Sequence, residues 1–200
     1  SILDSTIQKI HPRADHMLAL VADAALDGAR GNSGVILAQF FQGLSDGAAG
    51  VEKMTPENFA KAVQFGAEYA RQALAEPIEG TILTVLTDFS NHLIELIESQ
   101  NCDFEHLLEM GINEAEKSLE NTPNLLAVLK KAGVVDAGAQ GFVDLLNGIF
   151  SFVRDGDLHG FKTTLEKKET TLDLISTEGD FENSKFRYCT ECLINGKTID

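Results

Sequence analysis

From the start of the chain to about residue 168, apolar residues recur at three- and four-residue intervals, the spacing that gathers them on one face of an α-helix. After Pro12, the residues Met17, Leu20, Val21 and Ala24 share such a face. Ser33 opens a second run, Val35-Ile36-Leu37-Ala38-Gln39-Phe40-Phe41, predicted to stop near Gly43 and Gly47. Thr55-Pro56-Glu57 reads as an N-cap, a proline at the first helical position and an early acid, so a third helix should run to about Leu74. Pro77 and Gly80 break the chain, and Thr81 can cap a fourth helix through Ile82, Val85, Leu86, Phe89, Leu93, Leu96 and Ile97. A fifth covers about Phe104 to Leu119. Thr122-Pro123 is predicted to start a short sixth through Leu125, Leu126 and Leu129, ended by Gly133. Asp136 precedes a seventh carrying Phe142, Val143, Leu146 and Phe150, and a polar eighth spans about Leu158 to Lys168. About eight helices with short connections predict an all-α fold, an up-and-down antiparallel bundle or helical barrel.

The pattern changes after residue 168. Residues 169–184 are polar and read as a linker. Lys185 to Ile194 alternates and is rich in Phe, Tyr, Thr and Cys, which argues a strand, and Asn195-Gly196 is a two-residue hairpin signal. One hairpin alone is marginal in water, so residues 185–200 are expected to begin a second, β-containing domain or to pair with another chain. A homodimer through that following domain would be one such pairing. The plan is therefore a helical domain over 1–168, a linker over 169–184 and the start of a second domain over 185–200.

Charge and cysteine content narrow the function. The chain has 16 basic and 31 acidic residues, a net charge of −15, so DNA and RNA would be repelled by most of its surface. A small phosphate ligand would have to be held by backbone N–H groups, helix N-termini and metal ions. No apolar run reaches the roughly 20 residues that cross a bilayer, and no export leader opens the chain. Three cysteines, Cys102, Cys189 and Cys192, fit a reducing compartment, and a cytoplasmic location is expected. Cys189-Thr-Glu-Cys192 lacks the second ligand pair a structural zinc site needs, and the five histidines form no i,i+4 metal pair with a third ligand.

Three glycine-rich junctions stand out. In Gly28-Ala29-Arg30-Gly31-Asn32-Ser33-Gly34, glycines permit positive φ and close approach, and the helix that follows presents free N–H groups to an anion. A C-cap glycine followed by an N-cap serine explains the same residues without a ligand. No Gly-Lys-Ser/Thr follows, so this is not a Walker loop. In Glu79-Gly80-Thr81-Ile82-Leu83-Thr84, Thr81 and Thr84 lie on one face of a first turn, able to meet a nucleotide or simply to cap. In Val134-Val135-Asp136-Ala137-Gly138-Ala139-Gln140-Gly141, Asp136 is an N-cap and the small residues leave room for a flat ring or for a neighbouring helix. Junctions separated by an even number of helices share one end of an up-and-down bundle, so one ligand could touch all three.

Together these stretches, with Asn121-Thr122-Pro123 ahead of the third, resemble the N-terminal domain of the bacterial fatty acid kinase catalytic subunit. That domain is similar to the nucleotide-binding (L) subunit of dihydroxyacetone kinase. The resemblance covers roughly residues 12–155, with the motifs in family order and near-family spacing. Arg187-Tyr-Cys-Thr-Glu-Cys192 resembles the start of the domain that follows. The resemblance implies a barrel of about eight helices with ATP at one end. It implies that Asn32, Ser33 and Gly34 contact the phosphates and that Gly80 and Thr81 border the nucleotide. Asp136, Ala137 and Gly138 would form the adenine-side loop. Ala139 stands where many relatives have a second glycine.

The family's magnesium site lies in an aspartate-rich loop that is not found in this sequence, so the metal ligands are expected upstream, and this chain by itself is expected to be inactive. Asp15, Asp23 and Asp27 lack the right loop and are not assigned to metal. No residue is assigned as a general base, because phosphoryl transfer depends mainly on positioning and charge neutralisation. The implied cofactors are ATP and magnesium. The implied partner is a DegV-like protein presenting a fatty acid whose carboxylate becomes an acyl phosphate. A dihydroxyacetone kinase type subunit, and a non-catalytic helical module that binds nucleotide or protein, are the competing readings.

Overall fold

The computed structural model describes residues 12–99 and 102–155. The polar eighth helix, the linker, the strand and the hairpin all fall outside the described residues. Within them the chain is all-α. Seven helices follow in order: α1 (Ala14–Gly28), α2 (Gly31–Gly47), α3 (Pro56–Gln72), α4 (Ile82–Ser99), α5 (Phe104–Leu125), α6 (Ala127–Ala132) and α7 (Ala137–Asp155). No described helix is long and apolar enough to cross a membrane.

The long helices run alternately up and down. At one end, the N–H groups of Ala14 and Asp15 donate to the carbonyls of Glu52 and Val51, tying the start of α1 to the α2–α3 connection. Phe59 and Phe104 meet there, tilted, with ring centroids 5.1 Å apart, so α3 and α5 start side by side. Arg13 bridges Asp15 and Glu52 at the same end. Its hydrogen bonds hold the Asp15 carboxyl down at about 2. The opposite end collects the α1–α2, α3–α4 and α6–α7 junctions, as the parity of helices predicts.

The core explains the order. Phe142 of α7 meets Phe40 of α2 and Phe89 of α4, edge to face, at centroid separations of 5.6 and 5.7 Å. Phe89 and Phe142 are fully buried; each such side chain stabilises the fold by about 1.5–3 kcal/mol through burial alone. Thr55 caps α3 and Asp103 caps α5, each accepting from an amide three residues on, so these starts follow from local sequence.

Two boundaries differ from the sequence expectation, and a third falls at one of its two expected glycines. α3 ends at Gln72, two residues short of Leu74. α2 stops at Gly47, the second of the two glycines expected to end it, while Gly43 lies inside the helix, where a Cβ would come within 2.4 Å of the Phe65 carbonyl oxygen. Glycine there lets the backbones of α2 and α3 touch. Pro123 does not start a helix either; α5 continues through it to Leu125. A proline inside a helix removes one N–H, here the one that would bond the Leu119 carbonyl. The Thr122 hydroxyl donates to that carbonyl instead, at 2.7 Å. The break comes at Leu126, which is extended, and only then does the short α6 begin.

Candidate functional site

The first junction is open. α1 ends at Gly28, and Arg30 takes an extended conformation ahead of α2. Its guanidinium donates to the carbonyls of Asp27 and Ala29, at 3.2 and 2.6 Å, so it satisfies the spent end of α1 rather than the fresh end of α2. Arg30 gives α2 no side-chain cap. The amides of Gly31, Asn32 and Ser33 in the first turn of α2 therefore lack both an intrahelical acceptor and a cap from Arg30. Gly31 sits at φ +64° with nothing within 4 Å of where a Cβ would stand. Asn32 and Ser33 are exposed, and Gly34 is half-buried.

The second junction is closed. Gly80 is buried at φ +79°, and a Cβ on it would lie 2.9 Å from the Cβ atoms of both Leu125 and Leu126. Its N–H donates to the Thr84 hydroxyl at 2.9 Å, and that hydroxyl donates to Glu79 at 2.7 Å. Arg71 holds the other carboxylate oxygen of Glu79 at 2.6 Å. The Thr84 hydroxyl, then Arg71, keep the Glu79 carboxyl below its usual range. Thr84 is buried with its hydroxyl committed in both directions, so it is a strut of the loop and does not face a ligand. Thr81 donates to the Ile78 carbonyl at 2.7 Å and remains half-exposed.

The third junction combines both characters. Gly133, in the left-handed region, ends α6 with backbone bonds from Val134 to Leu129 and from Gly133 to Lys130. Asp136 caps α7, accepting from the amides of Gly138 and Ala139 at 3.0 and 3.1 Å. The Asp136 amide donates to the Thr122 hydroxyl at 3.1 Å. Ala137 is exposed, while Ala139 is buried in the bundle.

Contacts link the three. A Cβ on Gly138 would stand 2.7 Å from the Ser33 hydroxyl oxygen, so the first and third junctions meet face to face. The space left by this small residue is filled by Ser33, in the first turn of the neighbouring helix α2. Gly80 lies under Leu125 and Leu126, a few residues beyond Thr122, which anchors Asp136. Asn32, Ser33, Gly34, Gly80, Thr81, Asp136, Ala137 and Gly138 therefore all lie at one end of the bundle. Ser33 and Gly138 are in contact across junctions, and Gly80 sits beneath the surface. Thr122 is a member that sequence reasoning missed, because Thr-Pro also reads as an ordinary helix start.

Chemically, the exposed face offers the free amides of α2, the positive end of its dipole and the Ser33 hydroxyl, a donor set for an anion. Asp15 is at the far end of the bundle. No three acidic, histidine or cysteine side chains among the described residues could hold a metal ion together. The set does not fit magnesium by itself.

An all-α up-and-down bundle with glycine-rich helix starts gathered at one end is the class that fold and site define. The DAK2 domain family matches residues 2–151, and the chain belongs to that family of dihydroxyacetone-kinase-like nucleotide-binding domains. It is 39% identical over 175 residues to an uncharacterized protein of Staphylococcus haemolyticus, covering 84% of this chain and 31% of that protein. Uncharacterized proteins of Staphylococcus saprophyticus (38% over 185 residues) and Staphylococcus aureus (39% over 181 residues) are similar over 88% of this chain and 33% of theirs. The chain spans about a third of the length of these curated relatives.

Proposed function

We propose that this chain is the ATP-binding part of a phosphotransferase of the fatty acid kinase type. The observation that carries this reading is the meeting of Ser33 with Gly138, which sets the uncapped start of α2 against the adenine-side loop implied by the resemblance. Asn32, Ser33 and Gly34 would hold phosphate oxygens through backbone and side-chain donors, and Ala137 and Gly138 would border the base. Negative charge on the ligand is met by dipoles and amides, which a chain of net charge −15 requires. The Gly-Ala-Arg-Gly-Asn-Ser-Gly form of the first junction supports a fatty acid acceptor on a DegV-like partner over dihydroxyacetone.

Titration calorimetry of ATP with magnesium tests the site. Ser33→Ala combined with Gly34→Val should abolish binding in a chain that stays folded, because it removes the hydroxyl and crowds the amides. A full polypeptide that binds no ATP sinks the reading. Supplying that polypeptide with a fatty acid on a DegV-like protein, or with dihydroxyacetone, separates the two acceptor classes.

A further inference from the structure

We propose that Thr122 is a positioning residue of this site, acting through Asp136; the inference rests on the nucleotide reading above. Thr122 is fully buried, and its one hydroxyl makes two bonds that belong to different parts of the molecule. It donates to the Leu119 carbonyl at 2.7 Å, replacing the N–H that Pro123 cannot supply. It accepts from the Asp136 amide at 3.1 Å, fourteen residues on.

The second bond reaches the ligand side in three steps. Asp136, fixed by its own amide, fixes the amides of Gly138 and Ala139 with its carboxylate. Gly138 then backs directly onto Ser33, at the distance where any Cβ would collide. The loop joining α6 to α7 bears on the first junction through this contact. Val134 and Ala137 beside it are exposed and α6 buries no side chain, so half-buried Val135 and buried Ala139 are the apolar anchors of this stretch. A hydrogen bond donated by the Asp136 amide to the fully buried Thr122 hydroxyl is the tether that sets its register. The pairing with Pro123 has a further consequence. The proline frees the Leu119 carbonyl, which accepts a hydrogen bond from the Thr122 hydroxyl, and the hydroxyl oxygen is left to accept from the Asp136 amide.

That pairing supplies a test which separates positioning from plain stability. Thr122→Val removes both bonds at once. Adding Pro123→Ala returns an N–H to the Leu119 carbonyl, so the double variant repairs α5 while the Asp136 tether stays cut. Affinity for ATP with magnesium is read by titration calorimetry in the full polypeptide, beside melting temperature. The double variant should regain most of the melting temperature lost by Thr122→Val, yet bind about ten-fold more weakly than the parent. Thr122→Ser, which keeps the hydroxyl, should bind as the parent does. Ile112→Val, a core change on the same helix, should lower the melting temperature without moving affinity. If the double variant recovers affinity along with stability, Thr122 is a helix repair only and the proposal is overturned. If Thr122→Ser binds as weakly as the double variant, the hydroxyl is not the cause, and the proposal is likewise overturned. If the parent binds no ATP, the nucleotide reading falls and takes the positioning role with it.

Discussion

The first and second junctions start from the same grammar, glycine followed by a hydroxyl residue at the head of an apolar helix, and the fold puts them to opposite uses. At Gly31-Asn32-Ser33 the glycine faces open space and the neighbouring side chains face solvent. At Gly80-Thr81-Thr84 the glycine is roofed by two leucines and the threonine hydroxyls are spent inside the loop. A helix start is a ligand site only if its donors are left unspent, and a stabilised junction spends them. The second junction thus braces the end of the bundle on which the first stays exposed.

Substitutions can break this contrast, and the largest effect belongs to Gly80. Gly80→Ala must adopt a positive φ and drive a Cβ into Leu125 and Leu126, so it should cost about 3 kcal/mol in urea unfolding. Thr84→Val should cost about 2 kcal/mol, because the Gly80 amide and Glu79 lose a buried partner. Gly31→Ala meets no atom and carries only the backbone penalty, about 1 kcal/mol. Equal losses for Gly31→Ala and Gly80→Ala would dissolve the distinction between an open and a roofed turn. The smallest effect is on pH. Glu79 has its carboxyl depressed in the fold, so its contribution is full above the ordinary value of 4.5 and fades as pH falls through the lower folded value. Urea midpoints followed from pH 6 to pH 3 should therefore fall less for Glu79→Gln than for the parent. Because Glu79 is half-exposed, the difference should be small. A steeper fall in the variant reverses the sign and refutes the assignment.

Much of the helical plan was legible along the chain because its signals are local. Thr55 with Pro56, and Asp136 ahead of Ala137, are caps that act within four residues, and both helices start where those residues require. The apolar spacing likewise located the face of α4 that holds Phe89 and Leu93 in the core. α2 ended at the second of its two expected glycines, and Gly43 and Pro123 both lie inside helices for a common reason. Each is a breaker in isolation and is tolerated here through a distant or unusual partner. For Gly43 that partner is the backbone of α3, and for Pro123 it is the hydroxyl of Thr122. Within the site, the motif residues could be named from their order and spacing. Their separate fates could not, because Ser33 meets Gly138 across more than a hundred residues of intervening chain.

Residue order and type alone were enough to set the helical class, most helix starts, and the membership of three junctions in one family pattern. Those properties arise from spacing, caps and composition, which need no knowledge of neighbours in space. Tertiary packing alone decided which junction stays open and which is roofed. It also made Thr84 a strut and Thr122 an anchor, and brought Ser33 against Gly138. The physical reason is that a hydroxyl or an amide has few bonds to give. Whether a ligand can claim them depends on which distant groups the fold has already placed within about 3 Å.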